Sequence, residues 1–260
     1  MSKKNHLFLL SVLLALTARV QAVEFTVHAS PIGEYMVRIG PTLEESTGLM
    51  MEIAAGAFRR AGLPVKVAPP VPWARAQIEA KDAPGAILVL LARTPEREGQ
   101  WRWLSMIYTD KVYAYTLKGR HVYSSYGEIG ARKARVAVKL GSASESFLKN
   151  SGAALDSAPD TDRNFMKLLS GRVDVLLTQR MEADPAIKAM LNGRYKDEFL
   201  PHIGELQRTT IADLPLWFVT SRQTPEADAQ RLQEALERFK RTPEYRAIIR
   251  KYEASGLPRK

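Results

Sequence analysis

The sequence predicts a two-lobed α/β fold, and three observations carry the prediction. Short apolar runs of strand length alternate with stretches whose apolar residues recur at helical spacing. One run, Ala86 to Leu91, is apolar at every position, the pattern of a parallel strand covered on both faces. The alternation occurs twice, once before Gly119 and once after it. Composition agrees with a globular chain. Of 260 residues, 45% are hydrophobic and 25% charged, which excludes a disordered tail, and the lack of cysteine excludes a disulfide scaffold.

The elements follow in order. Leu7 to Ala18, preceded by Lys3 and Lys4, is the longest apolar run, and its twelve residues fall short of the ~20 that cross a bilayer core. It reads as a secretory signal, with small residues in Val20-Gln21-Ala22 placing cleavage after Ala22. Residues 1–22 are set apart as a signal peptide, and a periplasmic location is expected. Phe25 to Ala29 and Val65 to Ala68 read as strands. Between them Met50, Ile53, Ala54, Ala57, Phe58 and Ala61 mark a helix, with Thr47 as N-cap and Gly62 as stop. Pro72 opens a helix through Gln77 and Ile78.

After Gly119, Arg135 to Val138 and Val173 to Leu177 read as strands, and Ser144 to Leu148, Phe165 to Leu169 and Met181 to Leu191 as helices. Leu214 to Thr220 is a last strand. Two closing helices start at Thr224-Pro225 and Thr242-Pro243, each an N-cap followed by proline at the first helical position. Strand-like crossings near 112–116 and 208–213 join the halves. Lobe 1 is therefore expected to comprise 23–112 and 213–260, and lobe 2 residues 113–212.

Removing Lys3, Lys4 and Arg19 with the leader lowers the net charge from +10 to +7. Basic residues are interspersed with acids rather than gathered in a stripe, so nucleic acid is not the expected partner, and the surplus suits a small anionic ligand or the anionic surface of an inner membrane. The mature histidines, His28, His121 and His202, lie far apart with no cysteine beside them, and no metal site is expected. The sequence holds no nucleophile elbow, phosphate loop or dinucleotide fingerprint, so no catalytic residue and no cofactor is assigned.

Ligands of open α/β sheets bind beyond the carboxyl ends of strands. Three of these ends are polar: Ala92 to Glu98 after Leu91, Lys139 to Glu145 after Val138, and Thr178-Gln179-Arg180 after Leu177. In the second, Ser142, Ala143 and Ser144 start a helix. Ser142 and Glu145 have the spacing of a capping box, and the N–H groups of that turn offer an alternative role toward an anionic group of a ligand.

Gly48-Leu49-Met50-Met51-Glu52-Ile53, Pro72-Trp73-Ala74-Arg75-Ala76, Arg93 to Glu98, Arg135-Val136-Ala137-Val138 with Gly141-Ser142, and Gly171-Arg172-Val173-Asp174 stand in an order and spacing that resembles the bacterial extracellular solute-binding proteins of family 3. The resemblance spans the mature chain. It implies a two-lobed type II periplasmic binding protein that closes over a small anionic or zwitterionic solute for an inner-membrane ABC permease, as a monomer. Position by position it implies that Arg97 grips a ligand carboxylate, which suits the planar fork of a guanidinium. Thr94 would share that turn, Trp73 would line the pocket, and Arg75 would reach the cleft or lie at the surface.

Departures from the family pattern matter equally. Leu90 and Ala92 stand where small hydroxyl residues are usual, Gln179 stands where an aspartate would hold an α-ammonium, and Tyr35 is the one aromatic of the lid segment. A buried ammonium needs a carboxylate or several acceptors. The expectation is a solute that lacks a free α-ammonium or binds it weakly through backbone carbonyls, unless Glu34 or Glu52 supplies the carboxylate. Two other classes share the scaffold: an enzyme resembling the periplasmic cyclohexadienyl dehydratases, with Glu34 or Glu52 as the acid or base, and a sensory ligand-binding domain.

Overall fold

A computed structural model describes residues 23–193 and 195–254, with the side chains of 34, 253 and 254 excepted. The predicted signal peptide lies outside the described residues. One eight-stranded sheet runs through the molecule in the order β2-β1-β3-β8-β4-β7-β5-β6. In lobe 1, β1 (Phe25–His28) pairs in parallel with β2 (Val65–Val67) and β3 (Ala86–Ala92). In lobe 2, β5 (Arg135–Lys139) pairs in parallel with β6 (Ala154–Ala158) and β7 (Val175–Gln179).

Two long antiparallel strands join the lobes, β4 (Trp101–Leu117) and β8 (Leu206–Ser221), paired from Trp101–Ser221 to Leu117–Leu206. The crossings predicted near 112–116 and 208–213 are therefore segments of much longer strands. The sequence hid this because β4 alternates buried and half-buried positions irregularly, with register shifts at Trp103/Ser105, Met106/Tyr108 and Val112/Tyr113.

The helices are α1 (Gly33–Met36), α2 (Leu49–Arg60), α3 (Trp73–Lys81), α4 (Tyr126–Ala131), α5 (Ala143–Leu148), α6 (Thr161–Leu169), α7 (Arg180–Asn192), α8 (Lys196–Phe199), α9 (Glu226–Lys240) and α10 (Pro243–Ala254). Helix α2 buries the apolar face read from its periodicity, but its N-cap is Gly48 at φ +98°, not Thr47. A Cβ at Gly48 would lie 2.7 Å from the Met36 backbone, which a side chain forbids. The cap of α9 is Pro225, because the Thr224 hydroxyl is turned inward, where it receives the Gly85 N–H and meets Thr220. Thr242 does cap α10, its Oγ1 accepting the Tyr245 N–H at 3.1 Å.

The core forms three clusters. The largest joins Phe25 to Val112 with Leu214 to Tyr252, and also takes in Ala143 and Met181 from the other half of the chain. The other two, built around Phe165 and Val136, lie in lobe 2. Asp174 stitches β5 to the start of β7, its carboxylate accepting the Arg135 N–H at 2.9 Å and the guanidinium at 2.6 Å. Among the described residues, no helix is long and apolar enough to cross a membrane.

Candidate functional site

The carboxyl ends of five parallel strands converge on a cavity of about 790 Å³ between the lobes. Lobe 1 contributes residues 30–33, after β1, and 70–73, after β2. Lobe 2 contributes Lys139 at the end of β5, residues 159–162 after β6, and one face of α7 beyond β7. That face is set by helical phase, since Glu182, Pro185, Ala186 and Ala189 recur three or four residues apart. The lobes touch closely at one edge, where a Cβ on Gly33, at φ +57°, would lie 2.6 Å from Pro185 Cγ.

The two walls differ in chemistry. Lobe 1 is mainly apolar, with Pro31, Ile32, Val71 and Trp73. Lobe 2 carries three carboxylates, Asp160, Asp162 and Glu182, and one ammonium, Lys139. Lys139 Nζ meets Glu182 Oε1 at 2.8 Å, and the two side chains are only 12% and 10% exposed. Thr161 Oγ1 lies 3.4 Å from the other Glu182 oxygen. Asp160 pairs with Arg163 at 3.1 Å, and Asp162 accepts the Arg163 N–H at 2.9 Å.

Beside this cavity the lobes are bonded directly. The carbonyl oxygen of Gly141, in lobe 2, accepts from Trp73 Nε1 at 3.0 Å, Gln77 Nε2 at 3.0 Å and Arg97 Nη2 at 2.7 Å. Arg97 also donates from Nη1 to Ala92 O at 3.0 Å and is buried, which lowers its pKa to about 10 and leaves it charged at neutral pH. Ser146 donates to Thr94 at 3.2 Å and Glu96 at 2.8 Å, while Lys149 pairs with Glu96 at 3.1 Å. Arg97 lines a second recess of about 680 Å³ on the far side of this seam rather than the main cavity.

The predicted site residues therefore scatter. Trp73 lines the main cavity and Thr94 lies buried in the seam. Arg75 is exposed and pairs with Glu79 at 2.7 Å, one helical turn along α3. Tyr35 is half-buried against the first core, with residues 30–33 in the wall instead. Ser142 caps α5, its Oγ accepting the Glu145 N–H at 3.2 Å, and Glu145 in turn accepts the Gly141 N–H at 2.6 Å. Ala143 is buried in the lobe 1 core, and Ser144 hydrogen bonds the Tyr126 hydroxyl at 2.9 Å. Burial pushes the Tyr126 phenol up to about 12.

Gln179 is the N-cap residue of α7 and is absent from the cavity wall; Arg180 turns away from it toward Asp110. Glu52 is held by Lys251 at 2.6 Å and by Tyr252, on the outer side of α2. The Glu34 side chain lies outside the described part. Sequence reading missed Glu182 and the 160–162 turn. For Glu182 the available signal is its place at the start of the helix that periodicity predicts from Met181 and the structure begins at Arg180. For the 160–162 turn there was no signal, because the strand before it was not recognised.

No protein-family model and no curated protein matches the chain. Solved structures do. An ancestral arginine-binding protein bound to arginine superposes at TM-score 0.65 with 18% identity, covering 88% of this chain and 97% of that one. The fold is that of the periplasmic binding proteins. A histidine kinase sensor domain with similarity to periplasmic binding proteins gives TM-score 0.67 at 14% identity, over 88% of this chain and 95% of that one. An ancestral amino-acid-binding protein, a precursor of cyclohexadienyl dehydratase, gives 0.60 at 18%, over 88% and 94%. The two lobes of this chain are thus those of the periplasmic-binding-protein fold.

Proposed function

We propose that this chain is a periplasmic solute-binding protein that closes over a small ammonium- or guanidinium-bearing solute and delivers it to an inner-membrane ABC permease. The observation that carries the reading is the cavity wall in which Glu182, Asp160 and Asp162 face an apolar wall with Trp73. A buried cation requires opposite charge, and in lobe 2 Glu182, held by Lys139, and Asp160, held by Arg163, are carboxylates that a solute cation can engage from the cavity. The aromatic and aliphatic wall of lobe 1 suits the hydrocarbon part of such a solute. The arginine-bound neighbour supports the same class.

The expectation from Gln179, a solute without an ammonium, gives way in this reading because Glu182 supplies an acid one helical turn further on. An enzymatic role finds no support at Glu52, which is fixed by Lys251 and Tyr252 away from the cavity.

Calorimetry at fixed pH and salt tests the reading with three probes: L-arginine, agmatine, which lacks the carboxylate, and 5-guanidinopentanoate, which lacks the α-ammonium. L-Arginine and agmatine are expected to bind, with contraction in small-angle scattering at saturation. Binding of 5-guanidinopentanoate at least tenfold tighter than both would overturn the ammonium assignment, and no binding by any probe would overturn the cationic class.

A further inference from the structure

The Gly141 carbonyl receives three side-chain donors, all from lobe 1, while the peptide that bears it belongs to lobe 2. Gly141 sits at φ +73°, a conformation strained for any other residue, and a Cβ there would lie 2.8 Å from Gln77 Nε2 and 3.2 Å from Ala74 Cα, so a side chain would displace the Gln77 amide from the seam. Ala143, two residues on, is 2% exposed and packs in the lobe 1 core. The seam is thus polar at one peptide and apolar beside it.

We propose that Trp73, Gln77 and Arg97 form a latch on the Gly141 carbonyl, so that Arg97 sets how readily the lobes close and does not grip a solute carboxylate. Both terminal nitrogens of Arg97 are engaged by backbone carbonyls, one in each lobe. The main cavity is walled by Trp73 but not by Arg97, so the indole alone connects the latch to the solute. A charge-assisted bond from a buried guanidinium is stronger than its neutral neighbours, which makes Arg97 the principal member and Gln77 the secondary one. A solute that adds contacts between the lobes then shifts an equilibrium already biased toward closure.

The test uses the mature protein with no added solute. Scattering is measured for the parent, Gln77→Ala, Arg97→Ala and the control Arg75→Ala, each checked by circular dichroism for intact folding. The latch predicts a larger radius of gyration for Arg97→Ala, an intermediate one for Gln77→Ala and the parental value for Arg75→Ala. Gln77 is half-buried outside the cores, so that variant keeps the test open should Arg97→Ala fail to fold. Parental radii in both latch variants would overturn the proposal.

A second arm titrates Arg97→Ala with L-arginine and agmatine. The latch predicts that both weaken by the same factor, roughly tenfold or more. Loss confined to L-arginine would show a carboxylate grip and overturn the latch. If neither probe binds the parent, the cationic-solute reading fails while the scattering still judges the latch.

Discussion

Arg180 places Nη2 2.6 Å from the Tyr108 hydroxyl and Nε 3.4 Å from Asp110 Oδ1, and Asp110 also accepts the Met181 N–H at 3.0 Å. Both charged side chains are almost wholly enclosed, at 6% and 0% exposure. The cation that follows β7 is therefore fastened to the connecting strand β4, and the start of α7, which carries Glu182 into the cavity, is fixed with it. Burial outweighs the pull of its partners and raises the Asp110 carboxyl above its ordinary value.

Removing one member of this pair leaves the other buried and unpaired. Asp110→Ala is expected to cost about 3–5 kcal/mol of stability, whereas Asp110→Leu with Arg180→Met together should cost far less. Urea unfolding of the three proteins decides it; equal losses in the single and double variants would show that the ion pair is not the determining feature.

Glu182→Gln keeps the shape of the cavity wall and removes one negative charge. Agmatine affinity should fall roughly ten- to hundredfold, and Lys139→Met should raise it by relieving the competing ammonium. Calorimetry showing no change in either variant would place the cation elsewhere.

Gly56 of α2 lies against α9 so closely that a Cβ would sit 2.3 Å from Phe239 Cζ. Gly56→Ala should destabilise by about 1–3 kcal/mol despite the better helix propensity of alanine. A raised urea midpoint would show that the Phe239 ring yields freely.

Glu128 accepts the Ser124 N–H and hydroxyl, each at 2.8 Å, and the His121 ring at 2.6 Å. These bonds hold its carboxyl down to about 2, from an ordinary 4.5. A depressed carboxylate contributes stability that is fully present above the unfolded value and is lost as pH falls through the folded one. Glu128→Gln should therefore melt below the parent at pH 7, with the gap narrowing under pH 4.5 and closing near pH 2. A gap independent of pH would assign its origin to packing.

Periodicity made most of the fold legible, because α2, α9 and β3 bury faces that their apolar residues mark out. Elements with weak patterns were not readable. Strand β6, Ala154–Ala158, lies at the sheet edge beside β5 and buries only Ala158, so no alternation marks it. The site was less legible than the fold for a related reason. Which side of the seam a side chain serves depends on tertiary contact, and Arg97 and Trp73, 24 positions apart in sequence, meet at one carbonyl that only a folded lobe 2 provides.

The place of β8 in the sheet has a consequence for how the molecule is made. This strand follows the other seven described strands in sequence yet fills the slot between β3 and β4, and it spans both lobes. A ribosome that has released residues up to 205 has supplied seven strands of a sheet whose middle is missing. Lobe 1 then exposes the edges of β3 and β4, and α2 lacks the cover of α9. Such a chain cannot commit to its native topology early, and the long-range pairing that completes it makes folding slow. The nascent protein consequently remains unlocked, and open to whatever machinery handles unfolded chains, until β8 and α9 emerge.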